Sequence, residues 1–239
     1  MRASSRAVAY GAAVVVNSGK MTVIAIDGPA GAGKSTAAKQ LAGVLHITYV
    51  NTGSLYRAVA LAAHRAGIEP ENVTRDFLDT LHLEYGNGKL LLNGEDPGEA
   101  LRAPEIAQGA SRVSALPPVR EYLLPVQRNA ALKEWIVMEG RDIGTVIFPD
   151  AQCKFFITAS IEERARRRLA QSGEIASGAT LESVIEEIRL RDERDSTRAA
   201  APLKQADDAV FIDTTGKSIS DVNAELISFL PEELQKRCK

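Results

Sequence analysis

The chain has 239 residues, 45% of them hydrophobic and 25% charged, an ordinary globular composition that excludes a collagenous, disordered or disulfide-scaffold chain. Its 29 Lys and Arg stand against 31 Asp and Glu, a net charge of -2, so broad attraction to nucleic acid or an anionic membrane is excluded and any anion binding must be local. The length suits one large domain, or one carrying an insertion.

Residues 1–20 place Arg2 and Arg6 before the weakly apolar run AVAYGAAVVV. This resembles an export signal poorly, because no small-x-small cleavage site follows, and the uncharged run is shorter than the roughly 18 residues a membrane span needs. An N-terminal extension without fixed structure is expected here, with the fold beginning at Met21. From Thr22 on, short apolar runs alternate with longer amphipathic ones, the pattern of an α/β fold with a parallel sheet and crossover helices. TVIAID (22–27), ITYV (47–50), WIVME (135–139), KFFIT (154–158) and AVFID (209–213) read as buried strands. KSTAAKQLAGVL, SLYRAVALAAHRAG, EERARRRLAQ, LESVIEEIRLRDERD and SISDVNAELISFL carry apolar residues at helical spacing. Between the second and third core strands, residues 81–98 read as a hairpin around GNGK, and with helical stretches at 103–115 and 118–133 they predict a subdomain. SGEIASGAT (172–180) is small and polar and is expected to be mobile. Cys153 and Cys238 have no metal or redox spacing, so a reducing cytoplasmic compartment without a disulfide is expected.

The segment Gly28-Pro-Ala-Gly-Ala-Gly-Lys34-Ser35 fits G-x-x-x-x-G-K-[ST] and lies between a predicted strand and a predicted helix, as a phosphate loop must. Glycines let backbone N–H groups turn inward, the helix N-terminus favours negative charge, Lys34 reaches the terminal phosphates and the Ser35 hydroxyl can ligate Mg²⁺. Such a loop leaves switch GTPases, mechanical ATPases and small-metabolite kinases all open. The chain has no N-K-x-D motif and no apolar strand ending in Asp followed by a water-activating Glu. It does have arginines at intervals: Arg57, Arg120, Arg141, Arg167, Arg191, Arg194 and Arg198. Phosphoryl transfer between two bound substrates needs cations around the moving group and the acceptor phosphate. Arg191, Arg194 and Arg198 recur at i, i+3 and i+7, on one helix face bordered by Asp195. A solvated charged face is the plainer alternative for any such stripe. In EERARRRL the same reasoning makes Arg167 a candidate toward the nucleotide donor. Arg141 and Asp142 of GRDIGTVIFPD sit at the carboxyl end of a strand, where open α/β sheets bind ligands; a turn-capping role is the alternative. Glu139, at the same strand end, either holds a Mg²⁺-bound water or anchors a neighbouring arginine. His46, His64 and His82 lack partner motifs and are assigned nothing, and Trp135, Phe155 and Phe156 are assigned to packing.

Taken together, GPAGAGKST, NTGSLYRA, ASRVSALPPVRE, EGRDIGTVIFPDA and RDERDSTRAAAPL resemble the bacterial cytidylate kinases, a branch of the nucleoside monophosphate kinases, over nearly everything from Met21 to about Leu230. The resemblance implies a P-loop NTPase fold with a five-stranded parallel sheet, an NMP-binding insertion at about 53–133 and a LID at about 165–198. It implies Mg²⁺-assisted transfer from ATP to CMP or dCMP. By the same resemblance Gly28, Pro29, Ala30, Gly31, Ala32, Gly33, Lys34, Ser35 and Thr36 bind the ATP phosphates, with Lys34, Arg141, Arg191 and Arg198 serving the transfer. Thr52, Arg57, Arg141 and Arg198 look like ligands of the monophosphate. Ser111, Arg120 and Asp142 look like readers of cytosine, and Asp195 and Arg191 like LID residues facing ribose and phosphates. Asn51 departs from the family's usual Asp, and Glu139 occupies a position where Asp and Glu both fit the pattern. The expectation is a cytoplasmic monomer without nucleic-acid or membrane partners. A kinase for UMP, AMP or a phosphate-free acceptor, and a nucleotide-hydrolysing switch, remain the alternatives.

Overall fold

The structure is a computed structural model that describes residues 21–86, 89–132, 135–170 and 178–238. The expected extension at 1–20, the hairpin tip at 87–88 and most of the 172–180 loop lie outside the described residues. Strands β1 (Met21–Asp27), β2 (Thr48–Asn51), β5 (Ile136–Gly140), β6 (Ala151–Thr158) and β7 (Val210–Asp213) form one parallel sheet in the order β2-β5-β1-β6-β7. The expected five-stranded parallel sheet is thus present, with β6 starting at Ala151 rather than 154. Val23, Ile24, Ala25 and Ile26 are all fully buried, because a parallel sheet has helices on both faces and its central strand needs no polar side.

On one face α1 (Lys34–Leu45) and α8 (Ile219–Ser228) bury Leu41, Leu45, Val222 and Leu226 against Ile24, Ile26 and Phe155. On the other, Val23, Ala25, Val50 and Met138 pack against Ile143 and Phe148. Phe156 alternates away from buried Phe155 and stacks on Phe211 of edge strand β7, with ring centroids 6.3 Å apart.

A second core belongs to the insertion. It gathers α2 (Thr52–Arg65), the one-turn α3 (Arg75–Leu78), the antiparallel hairpin β3 (Leu83–Gly86) and β4 (Lys89–Leu92), α4 (Pro104–Val113) and α5 (Pro117–Asn129) around Leu55, Val59, Leu78, Leu90, Ile106 and Leu123. A third, small cluster of Ala165, Val184 and Ile188 joins α6 (Ile161–Leu169) to α7 (Leu181–Thr197). The chain closes with the short α9 (Glu232–Gln235). Among the described residues no helix is long and apolar enough to cross a membrane. Because all five core strands are parallel, β1, β2 and β5 end along one edge, which brings Gly31, Thr52 and Arg141 to a common cleft.

Candidate active site

The phosphate loop leaves β1 and turns directly into α1, and its glycines are there for stated reasons. Gly28 has φ +149°, and a Cβ on it would lie 1.9 Å from the Ile157 carbonyl oxygen. Gly33, at φ +90°, occupies the N-cap of α1 in the left-handed region, and among the described residues no side chain caps that helix. The first-turn amides therefore stay available to an anion, where the helix dipole also favours negative charge. Lys34, 5% exposed, donates from Nζ to the Pro29 carbonyl oxygen at 2.7 Å across its own loop. Burial, then the neighbouring Arg141, push its ammonium down to about 7. A cation so disfavoured gains when an anion enters.

Facing the loop is a wall of side chains drawn from several elements. Thr52, at the start of α2, donates from Oγ1 to the Glu139 carbonyl oxygen at 2.8 Å. Asn51 caps α2 by accepting the Ser54 N–H at 3.2 Å, so at this position an amide performs the local structural task. Arg57 reaches the Leu101 carbonyl oxygen at 3.0 Å. Past β5, Arg141 Nε pairs with Asp195 Oδ2 at 3.0 Å, while Arg198 lies 3.4 Å from Asp142 Oδ1 and 3.9 Å from Asp195 Oδ1. Arg120 donates to Asp142 Oδ2 and to the Ser114 carbonyl oxygen, and stands over the Tyr56 ring. Burial alone would raise Asp195, but Arg141, Arg191 and Arg198 together hold it below the usual carboxylate range. Arg191 is lowered to about 10 by burial and by Arg141, and its Nε has no hydrogen-bond partner among the described residues. The cations outnumber the acid that binds them, so the site is poised for anionic ligands.

One cleft of about 1330 Å³ joins the two halves. Residues Ala30 to Thr36 line it together with Thr52, Arg57, Ser111, Arg141, Asp142, Arg167, Arg191, Asp195 and Arg198. Gly28 and Pro29 form the base of the loop. Arg167 lies beside Gly33, bonded to the Thr214 Oγ1 and carbonyl oxygen at 2.9 and 2.7 Å and to Glu163 at 2.9 Å. Arg120 and Arg194 are not among the cleft's lining residues: buried Arg120 backs Asp142, and exposed Arg194 donates from Nη1 to Ser111 Oγ at 3.2 Å. The expected arginine stripe is thereby divided. Asp195, with Arg191 and the C-cap residue Arg198, faces the cleft, while Arg194 ties α7 to α4.

Four participants escaped the sequence reading. Tyr49 donates its hydroxyl to Glu139 Oε1 at 2.6 Å, and burial with that carboxylate pushes the phenol well above its ordinary range. Asp192 on α7 accepts the Ala30 N–H at 3.2 Å and pairs with Arg164 on α6, which itself donates to the Ala30 carbonyl oxygen at 3.0 Å. Asp27, directly ahead of the phosphate loop, binds the backbone beyond Asp142. Two of them carried a signal in sequence: Asp27 as an acid at the end of an otherwise apolar strand, and Arg164 on the helix face it shares with Arg167 and Arg168.

Residues 24–232 match the family model described as cytidylate kinase. The chain belongs to the cytidylate kinase family. It is 44% identical over 222 residues to the cytidylate kinase of Syntrophotalea carbinolica, covering 90% of this chain and 94% of that protein. It is 46% identical over 210 residues to that of Thermosipho melanesiensis, covering 88% and 97%. A solved structure of an uncharacterized protein from Eubacterium ventriosum superposes with a TM-score of 0.50 at 16% identity, over 88% of this chain and 98% of that one. That likeness concerns the fold alone. With the phosphate loop and the parallel sheet, family membership makes the chain a nucleoside monophosphate kinase of the P-loop fold, and nothing in its relatives favours a hydrolysing switch.

Proposed function

We propose that the cleft carries ATP on its phosphate-loop side and CMP or dCMP on the opposite wall, and that the γ-phosphoryl group passes between them in line. The observation that supports this most is convergence: Lys34, Arg141 and Arg191 come from three separate elements and face one cleft, where Arg141 lowers the proton affinity of both Lys34 and Arg191. Cations held close against their repulsion stabilise charge that spreads over the transferring oxygens.

In this reading the amides of residues 31–36 cradle the ATP phosphates and Arg167 lies toward the donor nucleotide. Thr52, Arg57, Arg141 and Arg198 hold the acceptor phosphate, Arg191 and Asp195 face ribose and phosphates, and Ser111 with Asp142, which Arg120 holds from behind, addresses the base. Cytosine presents a donor at N4, to which a carboxylate is complementary. The donor set fits Mg²⁺: Ser35 is exposed on the cleft and Glu139, 4% exposed, offers a carboxylate there. Mg²⁺ ordinarily takes much of its coordination from phosphate oxygens and water, so few protein ligands are needed. Bound there, Mg²⁺ neutralises charge on the β- and γ-phosphates. The insertion at about 53–133 serves as the NMP-binding domain, and α6 with α7, about 165–198, as a LID that excludes water when both substrates are present. The enzyme is proposed to act as a cytoplasmic monomer; the buried, free Cys153 thiol is in keeping with a reducing compartment.

A coupled assay across CMP, UMP, AMP and GMP tests the proposal. Preference for CMP is expected, with slow ATP consumption when no acceptor is present; full-rate consumption without acceptor would overturn it.

A further inference from the structure

Asp27 is the last residue of β1 and is 5% exposed, and its carboxylate bonds to the turn after β5 although the phosphate loop begins one residue later. Its Oδ1 and Oδ2 accept the N–H groups of Ile143 and Gly144, each at 2.8 Å. Those two amides open the π-helical turn Ile143–Ile147, where the first N–H groups have no partner within the turn. Asp142 stands immediately before them as the N-cap residue. The turn is confined from a second side as well. A Cβ on Gly144 would lie 3.1 Å from Lys154 Cδ and 3.5 Å from Asp27 Oδ2. Gripped by a carboxylate and packed against a lysine stem, the backbone leaving Asp142 has little freedom to rotate.

We propose that Asp27 is a positioning residue of the acceptor site: by holding the Ile143 and Gly144 amides it fixes the direction in which Arg141 and Asp142 present their side chains to CMP. The proposal rests on the reading of Asp142 as the base-facing carboxylate. The backbone of the phosphate loop is held without the Asp27 side chain, whose charge reaches the loop only by raising the proton affinity of Lys34. The Asp27 backbone is laddered to Gly140 on one side and Phe156 on the other, and Gly28 packs on the Ile157 carbonyl. Loss of the carboxylate's hydrogen bonds therefore acts on the acceptor half of the cleft, while loss of its charge beside Lys34 acts on kcat rather than on either KM.

Asp27→Asn separates the two halves. The amide keeps one acceptor and turns a donor toward a backbone N–H, so one of the two bonds is lost. KM for CMP should rise about tenfold and the CMP to UMP preference should narrow, with KM for ATP within about twofold of wild type. A merely structural role would lower turnover through the folded fraction and leave both KM values alone. Equal changes for ATP and CMP, or no change for CMP, overturn the proposal. Should the Asn variant not fold, Asp27→Glu, which keeps the charge but misplaces the oxygens, is measured in its place with the same split expected. Independently of any substrate, amide exchange at Ile143 and Gly144 in the unliganded protein should quicken in either variant. Unchanged exchange there also overturns the proposal. A wild-type enzyme that does not prefer CMP would instead sink the base-reading assignment, leaving the amide result to decide on Asp27 alone.

Discussion

In the phosphate loop the groups offered to a ligand are mostly backbone amides on consecutive residues, and their geometry is fixed by glycines and by the strand and helix at either end. On the opposite wall the groups are side chains, brought from α2, α4, the turn after β5 and α7, and held by one another through ion pairs. The first half owes its shape to local chain conformation. The second owes it to tertiary assembly, so each of its members depends on a partner far away in sequence. Substitutions should therefore act differently in the two halves: loss of function without loss of shape on the donor side, and altered selectivity on the acceptor side.

The largest effect is expected at Lys34, whose charge the amides of the loop cannot replace. Lys34→Ala should lower kcat by about a thousandfold or more while the protein stays folded, because a positioned charge on the transferring phosphates is removed and the loop's amides remain. Steady-state kinetics with a melting curve would check this; turnover near wild type would contradict it. A companion measurement uses the ammonium itself, held at about 7 against an ordinary 10.5. Over that interval the unfolded chain binds the proton and the folded one does not, so this group's contribution to stability rises with pH from about 7 toward 10.5. Bound polyphosphate should restore the charge. Calorimetry at pH 8 in buffers of different ionisation enthalpy should then show nucleotide binding taking up as much as about one proton, an uptake absent at pH 6.

On the acceptor side, Asp142→Ala should narrow the preference for CMP over UMP by about tenfold or more, since a carboxylate suited to the N4 donor of cytosine faces an oxygen in uracil. Kinetic constants for both acceptors are the measurement. A parallel loss in both, with the ratio unchanged, would make Asp142 a support for Arg120 and Arg198, the partners it has in the structure.

The same contrast explains what could be read from the sequence. Strands and helices followed from apolar periodicity because a parallel sheet buries whole runs, and the phosphate loop followed because its chemistry is contiguous. The arginines could be recognised as a class, but their division into cleft-facing and backing members could not: Arg120 looks no different from Arg57 until Asp142 is beside it. The Tyr49–Glu139, Asp27–Ile143 and Asp192–Ala30 bonds join residues 90, 116 and 162 positions apart. No local pattern encodes such pairs.

The smallest effect is expected where the two halves meet, at Ala30. Its N–H is taken by Asp192 of α7 and its carbonyl oxygen by Arg164 of α6, and these two side chains form an ion pair. The helix that carries Arg191 and Asp195 to the cleft is thus tied to the backbone of the phosphate loop. Asp192→Ala removes one tie. Arg164 keeps the Ala30 and Ala159 carbonyls, at 3.0 Å each, so the loop is loosened rather than released. KM for ATP should rise about threefold to tenfold with KM for CMP nearly unchanged, as expected when one hydrogen bond to a charged group is lost beside a loop that other contacts still hold. If KM for CMP rises instead, Asp192 places α7 against the acceptor, and the donor loop is indifferent to it.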